Sequence, residues 1–178
     1  MNRASHACSI PVWVKIIFMA SSNLDEVRRE AEHLSRTSRD AEEFMKALVK
    51  LIHERLLKYN WVGFYMLEPG AQPPMLVLGA FVGAMTPHTR IPLNQGICGA
   101  AASSGKTVVV DDVAKDPRYL ACSLETKSEI VAPVFVRGKV AGELDIDSHF
   151  PAAFGAEDRA FVEHCAALVG KKLESSPQ

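Results

Sequence analysis

Between residues 24 and 58 the apolar side chains recur at helical spacing: Leu24, Val27, Ala31 and Leu34, then Ala41, Phe44, Leu48, Ile52 and Leu56. The stretch between the two groups, residues 35–40, carries no apolar side chain. The pattern predicts two helices with a break near residues 35–39. Thr37, Ser38 or Asp40 can cap the second, and Asp40 with Glu43 has the spacing of a capping box. The charged faces of both helices read as solvated faces. Two runs rich in aromatic and apolar residues follow, 61–67 and 75–82, joined by a Pro/Gly-rich link, and they predict an antiparallel hairpin.

Residues 83–95 have little periodicity and read as a loop with a short strand at 89–93. Gly96 permits a tight turn, and residues 98–104 form a short helix of small residues ending at Gly105. Residues 107–110 are a short buried strand, and 111–117 are turn-rich. A second hairpin spans 129–136 and 139–147, turning at Gly138. The chain closes on an amphipathic helix over 155–173, in which Cys165 falls on the apolar stripe as a core residue and His164 is structural. There is no internal repeat. The order of elements defines an α+β domain with helices packed on a mainly antiparallel sheet.

Composition narrows the picture little. The 178 residues carry a formal net charge of -1, with 48% hydrophobic and 23% charged residues, which suits one globular domain with one core. Balanced charge gives no electrostatic basis for binding nucleic acid or an anionic membrane. The four cysteines, Cys8, Cys98, Cys122 and Cys165, are too few and scattered for a disulfide scaffold and form no C-x-x-C pair, so neither a metal nor another cofactor is expected. They imply a reducing, cytoplasmic setting in which a reactive thiol is catalytic or redox-linked.

Residues 1–20 read as an N-terminal extension, poorly ordered or lying on the surface. The apolar run at 10–20 is interrupted by Lys15 and is too short to span a bilayer, which takes about 20 apolar residues. A signal peptide, with Arg3 as its charged end and Ala20-Ser21 near the cleavage point, is the alternative that Lys15 argues against. In another alternative, Met19 begins the compact protein.

The candidate chemistry lies between Cys98 and Ser148. Cys98 falls in the first turn of its short helix, where unpaired amides and the helix dipole favour a thiolate. Cys122 lies in an irregular stretch. Period two puts Glu143, Asp145 and Asp147 on one face of a strand. Three carboxylates in a row repel unless they are solvated or share a cation, so they mark either a solvent-facing edge or a site for an ammonium group. Core packing is the simplest account of Trp61 and Tyr65, with a pocket wall as the other.

Several segments, in order, resemble the free methionine-(R)-sulfoxide reductases, which are built on a GAF domain. They are Asn60-Trp61-Val62-Gly63-Phe64-Tyr65, Arg90-Ile91-Pro92, Gly96-Ile97-Cys98-Gly99, Ala121-Cys122, Ser128-Glu129-Ile130 and Leu144-Asp145-Ile146-Asp147-Ser148. The resemblance covers about residues 24–173. It implies a six-stranded antiparallel sheet flanked by helices, with residues 21–174 as a single GAF domain and 175–178 as a C-terminal tail. It also implies a homodimer that reduces free methionine sulfoxide and is recycled by thioredoxin or another thiol reductant. By the same resemblance Cys122 is the nucleophile and Cys98 a second redox cysteine. Glu129, Asp145 and Asp147 hold the amino acid, and Trp61 and Tyr65 shape the pocket; carboxylates crowded in a closed pocket have raised pKa values, which makes Glu129 or Asp145 the candidate proton donor. Typical members carry another cysteine ten positions before the one matching Cys98; here that position is His88. Either Cys98 resolves the oxidised nucleophile, or an external thiol does, or the chain has kept the fold and lost the activity. A non-catalytic GAF binding or sensory module is the alternative function.

Overall fold

The computed structural model describes residues 12–120 and 123–175, with the backbone alone for residues 12–22. Expectations for residues 1–11, Cys122 and residues 176–178 lie outside the described residues. Helix α1 runs Val12–Thr37 and α2 Ala41–Arg55. Strands β1 (Trp61–Leu67), β2 (Met75–Val82) and β3 (Arg90–Pro92) follow, then helix α3 (Gly96–Ser104), β4 (Val108–Val110), β5 (Ser128–Val136), β6 (Lys139–Ser148) and helix α4 (Ala156–Ser175). A single 3-10 turn, Val113–Lys115, interrupts the stretch read as turn-rich.

The break between α1 and α2 falls where the apolar pattern stops. Asp40 caps α2 by accepting from the Glu43 amide at 2.8 Å. Glu43 reaches back one residue further than a capping box requires, accepting from the Arg39 amide at 2.7 Å. Helix α1 differs from expectation in beginning at Val12, well before Leu24. The polar run Ser21-Ser22-Asn23 does not stop it. Helix α3 ends on Gly105 in the left-handed conformation at φ 62°, as the position of that glycine predicts.

The six strands form one sheet in the order β3-β2-β1-β6-β5-β4, with antiparallel pairs throughout. Alternation sorts its side chains into two cores. Val62 and Phe64 of β1, Ile130, Ala132 and Val134 of β5, and Leu144 and Ile146 of β6 pack under α1, α2 and α4. Trp61 and Tyr65 of β1 and Val131 of β5 point the other way, into a second core with Ile97, Cys98 and Ala101 of α3. On β6 the same phase gives Glu143, Asp145 and Asp147. Because β6 lies between β1 and β5, these carboxyls sit mid-sheet. The solvent-facing edge does not hold: their residues are 0%, 2% and 4% exposed.

Candidate active site

The register brings the acidic face together. Asp147 of β6 lies opposite Trp61 on one side and Glu129 on the other, and Asp145 lies opposite Gly63 and Val131. Helix α3 covers this face and inserts Cys98 over it. The Cys98 thiol points at Asp145 Oδ2, 3.5 Å away. Ligand atoms of Cys98, Glu129 and Asp145 all lie within 4.8 Å of one another. Of the candidate residues named from sequence, Cys98 on α3, Glu129 on β5 and Asp145 on β6 therefore converge on one spot, with Asp147 outside that group.

The two aromatic candidates occupy different depths. Trp61 stacks between Tyr65 and Phe81, with ring centroids 6.2 Å and 5.8 Å away, and its Nε1 donates to the Ala84 carbonyl at 3.0 Å. Its indole lies so close over Gly63 and Gly83 that a Cβ at either would come within 2.3 Å and 2.4 Å of it. Gly83 also has φ +136°, so it is needed twice over. Trp61 and Asp147 line a small cleft of about 60 Å³, rimmed by Asn60, Thr86, Thr126 and His149. Tyr65 is fully buried beneath Trp61, and its hydroxyl donates to the His88 carbonyl at 2.8 Å. That bond ties the loop bearing His88 to the sheet. A larger groove of about 790 Å³ lies elsewhere, between β5 and α4, lined by Lys106, Arg159 and Glu163. None of the thiol or carboxyl groups described above faces it.

Burial sets the electrostatics of the cluster. It pushes the carboxyl pKa values of Glu129 and Asp145 well above the ordinary range, and the neighbouring acids push the same way. Burial raises Asp147 to about 7, moderated by a hydrogen bond from Thr126, and Glu143 to about 8. A cluster of carboxyl groups that cannot all ionise is a store of protons near neutral pH. The expectation for Cys98 is overturned. Its thiol pKa is raised well above the ordinary value, first by burial and then by Asp145, Glu143 and Glu129. A helix N-terminus contributes about 0.3–1 kcal/mol in favour of an anion, too little to offset a dry, acidic surrounding.

Glu143 is the residue the sequence reading left out of the site. Both of its carboxyl oxygens, and Asp145 Oδ1, are buried without a hydrogen-bond partner among the described residues. The period-two argument had already placed Glu143 beside Asp145; only the family motif passed it over.

This sheet, helix order and buried face are those of a GAF domain, and residues 40–173 match the GAF domain family. The chain is similar to the free methionine-R-sulfoxide reductase of Escherichia coli, 36% identical over 126 residues, 71% of this chain and 73% of that protein. Among solved structures it is similar to the type II free methionine-R-sulfoxide reductase of Thermoplasma acidophilum, with TM-score 0.70 and 41% identity over 79% of this chain and 94% of that one. It is also similar to the enzyme from Neisseria meningitidis in complex with its substrate, with TM-score 0.81 and 31% identity over 98% and 96%. The chain belongs to the GAF-domain free methionine-R-sulfoxide reductase family. Among the described residues no helix is long and apolar enough to cross a membrane.

Proposed function

We propose that this protein reduces free L-methionine-(R)-sulfoxide to methionine by cysteine chemistry. The observation that carries this reading is the closure of Cys98, Glu129 and Asp145 within 4.8 Å of one another on a buried sheet face, in a chain of this family. The substrate ammonium pairs with Asp147, which opens to the cleft, and with the carboxyls behind it; Trp61 covers the methyl sulfoxide, with Tyr65 as its support. Free methionine brings a cation that the acidic face can take without further desolvated charge, whereas a methionine inside a chain does not.

The Cys122 thiolate attacks the sulfoxide sulfur, and Glu129, or Asp145 beside it, donates a proton to the sulfoxide oxygen. In the adduct the protonated oxygen passes to the Cys122 sulfur as the substrate's sulfur–oxygen bond and the new sulfur–sulfur bond both break; two electrons go from the Cys122 sulfur to the substrate sulfur, methionine leaves, and Cys122 is left as a sulfenic acid. Burial raises the pKa of these carboxyls and so favours the protonated form, the form that can donate. The Cys98 thiol then displaces water from the sulfenic acid to give a Cys98–Cys122 disulfide. Thioredoxin or a small dithiol reduces it, so the net change is sulfoxide plus dithiol to methionine, disulfide and water. With His88 at the position of the family's other cysteine, Cys98 is the resolving thiol within the chain. The protein acts as a cytoplasmic homodimer.

His88 is also what favours the second reading, a GAF module that binds a small amine-bearing ligand and does no chemistry. Turnover of free methionine-(R)-sulfoxide with thioredoxin, glutathione and dithiothreitol decides between them. The reductase converts substrate with at least one of these, and Cys122→Ser loses about a thousandfold or more. A chain inactive with all of them is the binding module. Full activity in Cys122→Ser removes that residue as nucleophile.

A further inference from the structure

The proposed reaction leaves one feature without a purpose. Glu143 is fully buried mid-sheet, and apart from the Cys98 thiol beside it neither carboxyl oxygen has a polar partner among the described residues. Asp145 Oδ1 is in the same state, although Asp145 Oδ2 faces the thiol. A buried carboxyl without a partner costs about 1–3 kcal/mol or more, so two beside one sulfur call for an occupant. An ammonium suits the carboxyl oxygens and ignores the sulfur. A borderline-soft cation uses both.

We propose that Cys98, Glu129 and Asp145 form a binding site for a thiophilic divalent cation of the zinc class. The spacing suits it. Zinc bonds of about 2.3 Å to sulfur and about 2.0–2.2 Å to oxygen, at tetrahedral angles, give a sulfur–oxygen edge of about 3.5 Å. Cys98 Sγ and Asp145 Oδ2 are 3.5 Å apart. Glu129 closes the triangle within 4.8 Å, a gap that a carboxylate rotation brings to bonding distance. Glu143 lies outside this triangle, and the fourth position falls to a water. Calcium and magnesium are disfavoured, because they take about six or more oxygens and have no use for a thiolate. On binding, the Cys98 proton leaves to solvent and the sulfur is held as thiolate. If the protein is the reductase argued above, the bound cation sequesters its resolving thiol and competes with the substrate ammonium. The site then acts as a reversible off-switch.

Cobalt(II), titrated into the reduced, untagged full-length chain without substrate, is the probe. One cobalt per chain is expected, with a sulfur-to-cobalt charge-transfer band in the near ultraviolet that zinc abolishes by displacement. Cys98→Ser removes the band, Cys122→Ser retains it, and Asp145→Asn weakens cobalt binding at least about tenfold. No band at stoichiometric cobalt overturns the proposal, as does a band that survives Cys98→Ser or is lost in Cys122→Ser. If Cys98→Ser does not fold, unchanged cobalt affinity in Asp145→Asn overturns it. The titration involves no turnover, so failure of the reductase reading leaves its outcome untouched, and the reverse holds for the sulfoxide assay.

Discussion

Two groups of buried acids lie on opposite faces of the same sheet, and they are treated differently. On the helical face Asp158, 6% exposed, is fully partnered. Its Oδ1 accepts from the Tyr59 hydroxyl and pairs with Lys58 Nζ, both at 2.6 Å, and its Oδ2 accepts from the Gly155 amide at 2.9 Å. That carboxylate caps the start of α4 and locks it to the chain entering β1. On the other face Glu143 and Asp145 are as deeply buried, yet three of their four oxygens have no partner among the described residues. A fold that satisfies one acid so completely has the means to satisfy the rest. If the second face takes the substrate ammonium as proposed, its unpartnered acids carry a cost in stability that the first face does not.

The largest effect that separates the faces is on stability. Phe161 is fully buried in the core beneath α4. Phe161→Ala is expected to cost about 3–5 kcal/mol in urea unfolding. Specific activity per folded molecule should be unchanged; a loss of activity ahead of unfolding would show that the faces are coupled. Asp145→Asn is the mirror image. It swaps a carboxyl whose burial favours the protonated form for a neutral amide of similar shape, which no longer has to take up a proton on folding, so the denaturation midpoint should hold or rise, while turnover falls about a hundredfold. A strongly destabilised Asp145→Asn would break the comparison, because the acid would then be structural like Asp158.

A third effect is read against pH. Glu143 holds its proton in the native state up to about pH 8, whereas in the unfolded chain it ionises near the ordinary value of 4.5. Between those limits the native state binds one more proton than the unfolded state, so its contribution to stability falls as pH rises. The slope for one proton is about 1.4 kcal/mol per pH unit, and it vanishes below and above the window. Glu143→Gln should flatten the profile between pH 5 and 8 by about that slope and gain on the wild type toward pH 8. Parallel profiles for the two proteins would place a partner at Glu143 that its surroundings do not reveal.

The elements were legible because their signals are local. The cap at Asp40, the left-handed stop at Gly105 and the strict alternation along β6 each follow from a few neighbouring residues. The start of α1 was not, because the apolar run at 10–20, interrupted by Lys15, reads as an extension and not as the first turns of the helix that carries Leu24. The site was half legible. Alternation placed three acids on one face, but whether that face met water depended on β6 being central, a fact of strand order that no local pattern carries. The same gap misled the reading of Cys98: the helix dipole is visible in sequence, while the buried carboxyls opposite are brought there only by tertiary packing.

In the proposed reaction a thiol on this chain takes the sulfoxide oxygen. It is tested most directly by a single turnover: reduced protein mixed with excess free methionine-(R)-sulfoxide and no reductant. The expected result is one methionine per chain with two thiols lost. Cys98→Ser should still give one methionine but stop at a trapped sulfenic acid, and Cys122→Ser should give none. No methionine from the wild type, or a full equivalent from Cys122→Ser, would contradict the account.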